Sequence, residues 1–219
     1  MHSIFGNWFE FVNKSEFLRI TTELHHQLDK ICPNPNDVFR IFKILAPEDC
    51  KVVFLGQDPY PQKGIATGIL FGNKSDTPEK DYSPSLKVIR NSLKDLENPD
   101  FNYTFDPTLE YWVKQGVLMI NSAFTVEQGK IGSHTMLWRR FTATFINNLS
   151  KYNNDLIFVL FGTVAQTFSP YIFGGEVIKS IHPAYYARSN TPMPSEIFNR
   201  VNEYLEKYNK HIEWCKPLI

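Results

Sequence analysis

Cysteine is scarce in this chain. Cys32, Cys50 and Cys215 are spread over 219 positions with no Cys-x-x-Cys pair. That excludes a disulfide framework and points to reduced intracellular thiols. Excess charge of either sign is also missing, because 23 Lys and Arg balance 23 Asp and Glu. A generally basic surface, the usual footprint of a nucleic-acid binder, is thereby excluded. Any polyanion must be met by a local patch or by backbone amides. No apolar run approaches the roughly 20 residues of a membrane span. The first residues, with Asn7, Glu10, Asn13 and Lys14, hold no apolar signal core. The expectation is a soluble cytoplasmic protein, or a nuclear one in a eukaryotic host. The histidines outside position 182 show no metal-ligand spacing with cysteine or acids, so no metal site is expected. P-loop, Gly-x-Gly-x-x-Gly and Gly-x-Ser-x-Gly signatures are absent.

What the chain does have is apolar and aromatic mass, 42% and 15% of its residues. This fits one large domain over residues 1–219 with a sizeable core. Four short runs stand out: Val52–Leu55, Val117–Ile120, Leu156–Phe161 and Val177–Ile181. Each is of strand length and almost continuously apolar, as strands buried on both faces are. Helical periodicity fills the intervals. Over 14–31, Phe17, Ile20, Leu24, Leu28 and Ile31 form one stripe, with Asn13 and Glu16 placed for a capping box. Over 85–96, Leu86, Ile89, Leu93 and Leu96 share a face behind a Ser83 cap and Pro84. Further helices are expected over 140–150 and 195–208, and loops over 97–109 and 189–194. Strands alternating with helices predict an α/β fold: a central four-stranded parallel sheet flanked by helices on both faces, with right-handed crossovers.

The residues just past each strand carry the chemistry. The first strand ends in Gly56-Gln57-Asp58, with Pro59 stiffening the turn. The second ends in Asn121-Ser122, the third in Gly162-Thr163 and the fourth in His182-Pro183. In a parallel sheet all four carboxyl ends share one edge, where open α/β folds bind ligands. An amide, a carboxylate, a second amide and a histidine should therefore converge. Taken singly, each has a bland reading: a turn aspartate, an Asx turn, a structural histidine before proline. Their joint placement favours a site. Gly64 and Gly68 bracket a loop that can approach a ligand closely. Phe71 is either a core aromatic or a stacking platform for a planar base. Ser83-Pro84-Ser85 starts a helix, and a helix N-terminus binds phosphate without net positive charge.

With these residues assembled, the chain closely resembles the family 1 uracil-DNA glycosylases. The family signature Gly-Gln-Asp-Pro-Tyr-His is present as Gly56-Gln57-Asp58-Pro59-Tyr60-Pro61, followed by Gly68-Ile69-Leu70-Phe71-Gly72. Leu118-Met119-Ile120-Asn121, the run from Gly129 to Ser133-His134, and Leu160-Phe161-Gly162-Thr163 match later motifs. His182-Pro183 opens the histidine loop, and Ile212-Glu213-Trp214 matches the final one. The resemblance implies excision of uracil from single- and double-stranded DNA, without metal or organic cofactor. The base would be flipped from the stack into a pocket. It implies that Asp58 positions water and stabilises the sugar cation, and that His182 receives the charge developing on uracil. Asn121 would read the uracil edge, Tyr60 would exclude a thymine methyl, Phe71 would stack and Gln57 would hydrogen-bond the base. Ser83, Pro84, Ser85, Gly162, Thr163, Tyr186 and Arg188 would contact DNA. Uracil-containing DNA is the implied partner, a protein inhibitor of these enzymes is a further candidate, and a monomer is expected.

Two stretches depart from the family pattern. Pro61 replaces the signature histidine, which predicts slower chemistry. The histidine loop reads Ala184-Tyr185-Tyr186-Ala187-Arg188, so both phosphate-contacting serines are alanine, and Tyr186 stands where the family has a wedging leucine. Rival readings are a non-catalytic DNA-binding or replication-accessory member, and a glycosylase of shifted base preference.

Overall fold

A computed structural model describes residues 2–218; Met1 and Ile219, the ends of the expected domain, lie outside the described residues. The four apolar runs form strands β1 (Val52–Gly56), β2 (Val117–Asn121), β3 (Ile157–Phe161) and β4 (Glu176–Ser180). They build one sheet in the order β2-β1-β3-β4, and every neighbouring pair is parallel. Central β1 and β3 are buried at every residue. Their lack of polar alternation follows from having helices, not water, on either side.

The main helices are α1 (Lys14–Leu24), α2 (Pro84–Leu93), α3 (Thr135–Tyr152), α4 (Gly162–Gln166), α5 (Pro183–Ser189) and α6 (Glu196–Glu206). The chain leaves β1 for β2 on one side, then crosses to β3 on the other. Right-handed crossovers therefore set α2 and α3 against opposite faces. One aromatic cluster joins Phe54 to Trp112, Trp214 and Phe198. A second gathers Phe5, Trp8, Phe42, Phe141 and Phe145 around α3. No helix among the described residues is long and apolar enough to cross a membrane.

The helix expected over 14–31 stops early. Regular α-structure ends at Leu24, and a 3-10 stretch follows in which Gln27 leaves helical geometry at φ −136° and ψ 22°. Leu28 is consequently 41% exposed, and Ile31–Cys32 forms a short antiparallel pair with Val126–Glu127. The capping box is half made. Asn13 Oδ1 accepts from the Glu16 amide at 3.1 Å, but the Glu16 carboxylate turns to Arg19 and Arg140 instead. Within 97–109, expected as loop, Tyr103–Thr104 pairs with Lys216–Pro217.

Candidate active site

The switch point of the sheet lies between β1 and β3, where connections depart in opposite directions and a crevice opens. A cavity of about 320 Å³ occupies it, lined by Gln57, Asp58, Tyr60, Phe71, Asn121 and His182, with Ser85, Gly162, Thr163 and Arg188 among its other walls. All four strand ends thus contribute, as their positions in the chain require.

Gly56 and Asn121 are register partners at the ends of β1 and β2. A β-carbon on Gly56 would run into the Leu70 side chain and stand 2.8 Å from Asn121 Oδ1, so a larger residue there must displace one or both. Beyond it, the Gln57 carbonyl accepts from the Ser122 hydroxyl at 2.8 Å and the Ala123 amide at 2.9 Å. These bonds lock the Asp58 turn to the Asn121 turn. Asn121 Oδ1 is buried with no hydrogen-bond partner. An orphan acceptor of that kind costs about 1–3 kcal/mol unless a ligand satisfies it.

The Asp58 carboxylate accepts the Gly132 amide at 2.5 Å. Burial pushes its carboxyl above the usual carboxylate range, against the opposing pull of the Gly132 and Gln57 hydrogen bonds. His182 caps α5: its Nδ1 accepts the Ala184 amide at 3.1 Å. Burial, helped by the positive charge of Arg188, lowers its pKa to about 4. The ring is therefore neutral at pH 7, and with Nδ1 accepting, the proton resides on Nε2. Gly162, at φ +83°, gives this ring its room, since a β-carbon there would lie 3.0 Å from His182 Cβ.

Phe71 is buried and holds φ +64°. That left-handed backbone costs a bulky residue about 1–2 kcal/mol and aims the ring into the cavity wall, edge-on to Phe161 at 5.3 Å and His182 at 5.4 Å. Tyr60 donates its hydroxyl to the Phe71 carbonyl at 3.3 Å. Enclosure of that hydroxyl raises its pKa to about 12, so it remains a neutral donor.

The residues expected at the DNA face divide. Ser85, Gly162, Thr163 and Arg188 line the cavity; Ser83, Pro84 and Tyr186 do not. Ser83 makes no side-chain cap for α2; its amide and hydroxyl both donate to Asn73 Oδ1, at 3.0 and 2.8 Å. Pro84 is exposed. Tyr186 packs half-buried against the core, whereas Tyr185 beside it is 52% exposed, the rings edge-on at 5.6 Å. Gly132 was missed as a partner of Asp58, although it lies inside a run matched on sequence; the one signal in the sequence is the glycine itself, which the structure holds at φ +80°. The Pro61 carbonyl accepts the Gly129 amide at 3.0 Å, so the residue that replaces histidine still anchors this same loop.

Residues 42–206 match the family model described as the Uracil DNA glycosylase superfamily. Uracil-DNA glycosylase 1 of Listeria monocytogenes is 36% identical over 191 residues, covering 84% of this chain and 83% of the relative. The chain belongs to the uracil-DNA glycosylase superfamily. Uracil-DNA glycosylase of Borrelia turicatae is 36% identical over 208 residues, 90% of this chain and 89% of that one. Among solved structures, mimivirus uracil-DNA glycosylase superposes with a TM-score of 0.73 at 28% identity, over 97% of this chain and 90% of the other. The Y322F variant of the mimivirus protein, in complex with UGI, superposes at 0.82 with 29% identity, over 98% and 90% of the two chains.

Proposed function

We propose that this chain hydrolyses the N-glycosidic bond of deoxyuridine in DNA, releasing uracil and leaving an abasic site for base excision repair. The observation that carries the reading is the buried, partnerless Asn121 Oδ1 in the same cavity as a neutral His182 and a carboxylate. Uracil offers an N–H beside a carbonyl, and the Asn121 amide supplies the matching acceptor and donor. Cytosine presents the opposite pattern at that edge and would leave the acceptor unsatisfied. Tyr60 fills the space a thymine methyl needs. Phe71 gives the base a face to stack on, and Gln57 adds a hydrogen bond.

As the bond from C1′ to the base breaks, its electron pair moves onto uracil, and the negative charge collects on a carbonyl oxygen. His182, with its proton on Nε2, donates a hydrogen bond to that oxygen without surrendering the proton. The sugar becomes cationic at C1′. The Asp58 carboxylate offsets that charge and orients the water that adds there, and a partly dry site strengthens both effects. The base reaches this cavity only when flipped from the stack. The Tyr185–Tyr186 pair enters the vacated duplex in this reading, with the exposed ring leading. Arg188, Thr163, Gly162 and the Ser83–Ser85 turn meet phosphates.

Residues 1–219 act as one domain, a reading supported by a single hydrophobic core that extends from Phe5 to Cys215. Three free, buried thiols support an intracellular location, cytoplasmic or nuclear according to the host. DNA is the main partner. A protein inhibitor is a second, a reading supported by the mimivirus complex with UGI. The test is incubation with labelled oligonucleotides bearing uracil, thymine, hypoxanthine or a mispaired base, followed by alkaline cleavage of abasic sites. Cleavage confined to the uracil substrate is expected; binding without any release from it would sink the proposal.

A further inference from the structure

Ile131 is 73% exposed, yet it lines the active-site cavity. A single exposed isoleucine is ordinary; its setting is not. The loop that carries it is held on every side. The Gly129 amide donates to the Pro61 carbonyl at 3.0 Å, the Lys130 amide to the Glu127 carbonyl at 3.0 Å, and the Ser133 amide to the Lys130 carbonyl at 3.2 Å. The Ser133 hydroxyl accepts the Glu127 amide at 2.8 Å. Behind Ser133, His134 is buried, with its Nδ1 2.9 Å from the Thr125 hydroxyl. The next residue after Ile131 gives its amide to Asp58. A large aliphatic side chain is thus presented to solvent on a fixed loop, one residue from the amide that holds the Asp58 carboxylate.

The opposite rim is built by α5, whose Ala184 and Arg188 line the same cavity. That helix follows β4, at one edge of the sheet, whereas the Ile131 loop follows β2, at the other edge. Three strand spacings of about 4.8 Å separate those edges, a span that accommodates a single nucleic-acid strand. We propose that Ile131 is an apolar jaw that packs on the substrate strand beside the flipped nucleotide and shields the Asp58 carboxylate from bulk water. The occupant is the DNA strand itself, because the patch is continuous with the base cavity, and deoxyribose and base faces are the apolar surfaces a strand offers there. The proposal rests on the excision reading above.

The test compares wild type with Ile131→Ala, Ile131→Ser and Ile131→Leu on single-stranded oligonucleotides that carry 2-aminopurine next to uracil. Uracil release is followed by steady-state kinetics, and inhibition by free uracil is measured in parallel. Burying such a side chain on a ligand predicts about a tenfold loss of kcat/KM for the alanine and serine variants. Leucine should restore activity, the 2-aminopurine signal on binding should shrink with alanine, and free uracil should inhibit all four proteins equally. Alanine and serine variants within twofold of wild type would overturn the jaw while leaving excision intact. Weakened inhibition by free uracil would also overturn it, by showing a general disturbance of the pocket. A wild-type chain that releases no uracil fails the excision reading, and this proposal with it.

Discussion

At the residue scale, burial acts on two titratable groups in opposite senses. It raises the Asp58 carboxyl and lowers His182 to about 4. The proposed chemistry needs Asp58 charged and His182 neutral, so kcat/KM should rise with pH through the raised Asp58 value and stay flat through 6.5, where an ordinary histidine titrates. A second step in activity centred near 6.5, separate from the Asp58 limb, would contradict a neutral His182. The stability signs follow from the same shifts. Asp58 has a raised value in the fold, so its contribution is present at low pH and is lost as pH rises through that value. His182 has a depressed value, so its contribution is present above 6.5 and is lost as pH falls toward 4. Asp58→Asn should therefore lower kcat by roughly 10²–10⁴ while its Tm at pH 7 is no lower than that of wild type. A clear drop in Tm would mean that Asp58 mainly holds the fold. Asp58, Asn121 and His182 were legible in the sequence because each lies within three residues of the end of an apolar run. Gly132 and Ile131 were not, because a backbone amide has no letter of its own and exposure depends on how a loop is folded back.

At the element scale, strands were read more accurately than helix ends. All four strands fall within a residue of their apolar runs; in β1 and β3 burial on both faces leaves no room for polar letters, while β4, with Glu176 and Lys179, is buried in part. The stripe over 14–31 misled because Leu28 and Ile31 keep helical spacing after the backbone has already left the helix at Gln27. Ser83 occupies the cap position of α2, but its hydroxyl serves Asn73, a partner ten residues away that spacing cannot reveal. Helix α5 shows the same limit, because two adjacent tyrosines differ in burial only once the helix is docked. Tyr185→Ala and Tyr186→Ala should each slow excision from duplex more than from single strands, and only Tyr186→Ala should also lower Tm. Equal slowing on both substrates would remove the pair from duplex opening.

At the scale of the whole molecule, a chain of zero net charge handles a polyanion by local means. Among the described residues, Arg188 is the cation that lines the cavity. Its removal should reduce the slope of log affinity against log salt by about one phosphate contact, at little cost to the fold, because the side chain is exposed. An unchanged slope would place the phosphate contacts elsewhere. The same replacement should let His182 rise, since the Arg188 charge helps hold it down.

The strand order β2-β1-β3-β4 has one more consequence. Asp58 and His182 are separated by more than half the chain, and they meet only after strands distant in sequence have paired in parallel. Pairing of that kind closes long loops before any contact repays them, so it belongs to the slow part of folding. During synthesis, β1 and β2 emerge before β3 and β4, so a nascent chain carries the aspartate and the asparagine before it carries the histidine. If Asp58 and His182 act together as proposed, the capacity to cut a glycosidic bond arrives last in synthesis, and a half-built copy touching DNA is chemically silent.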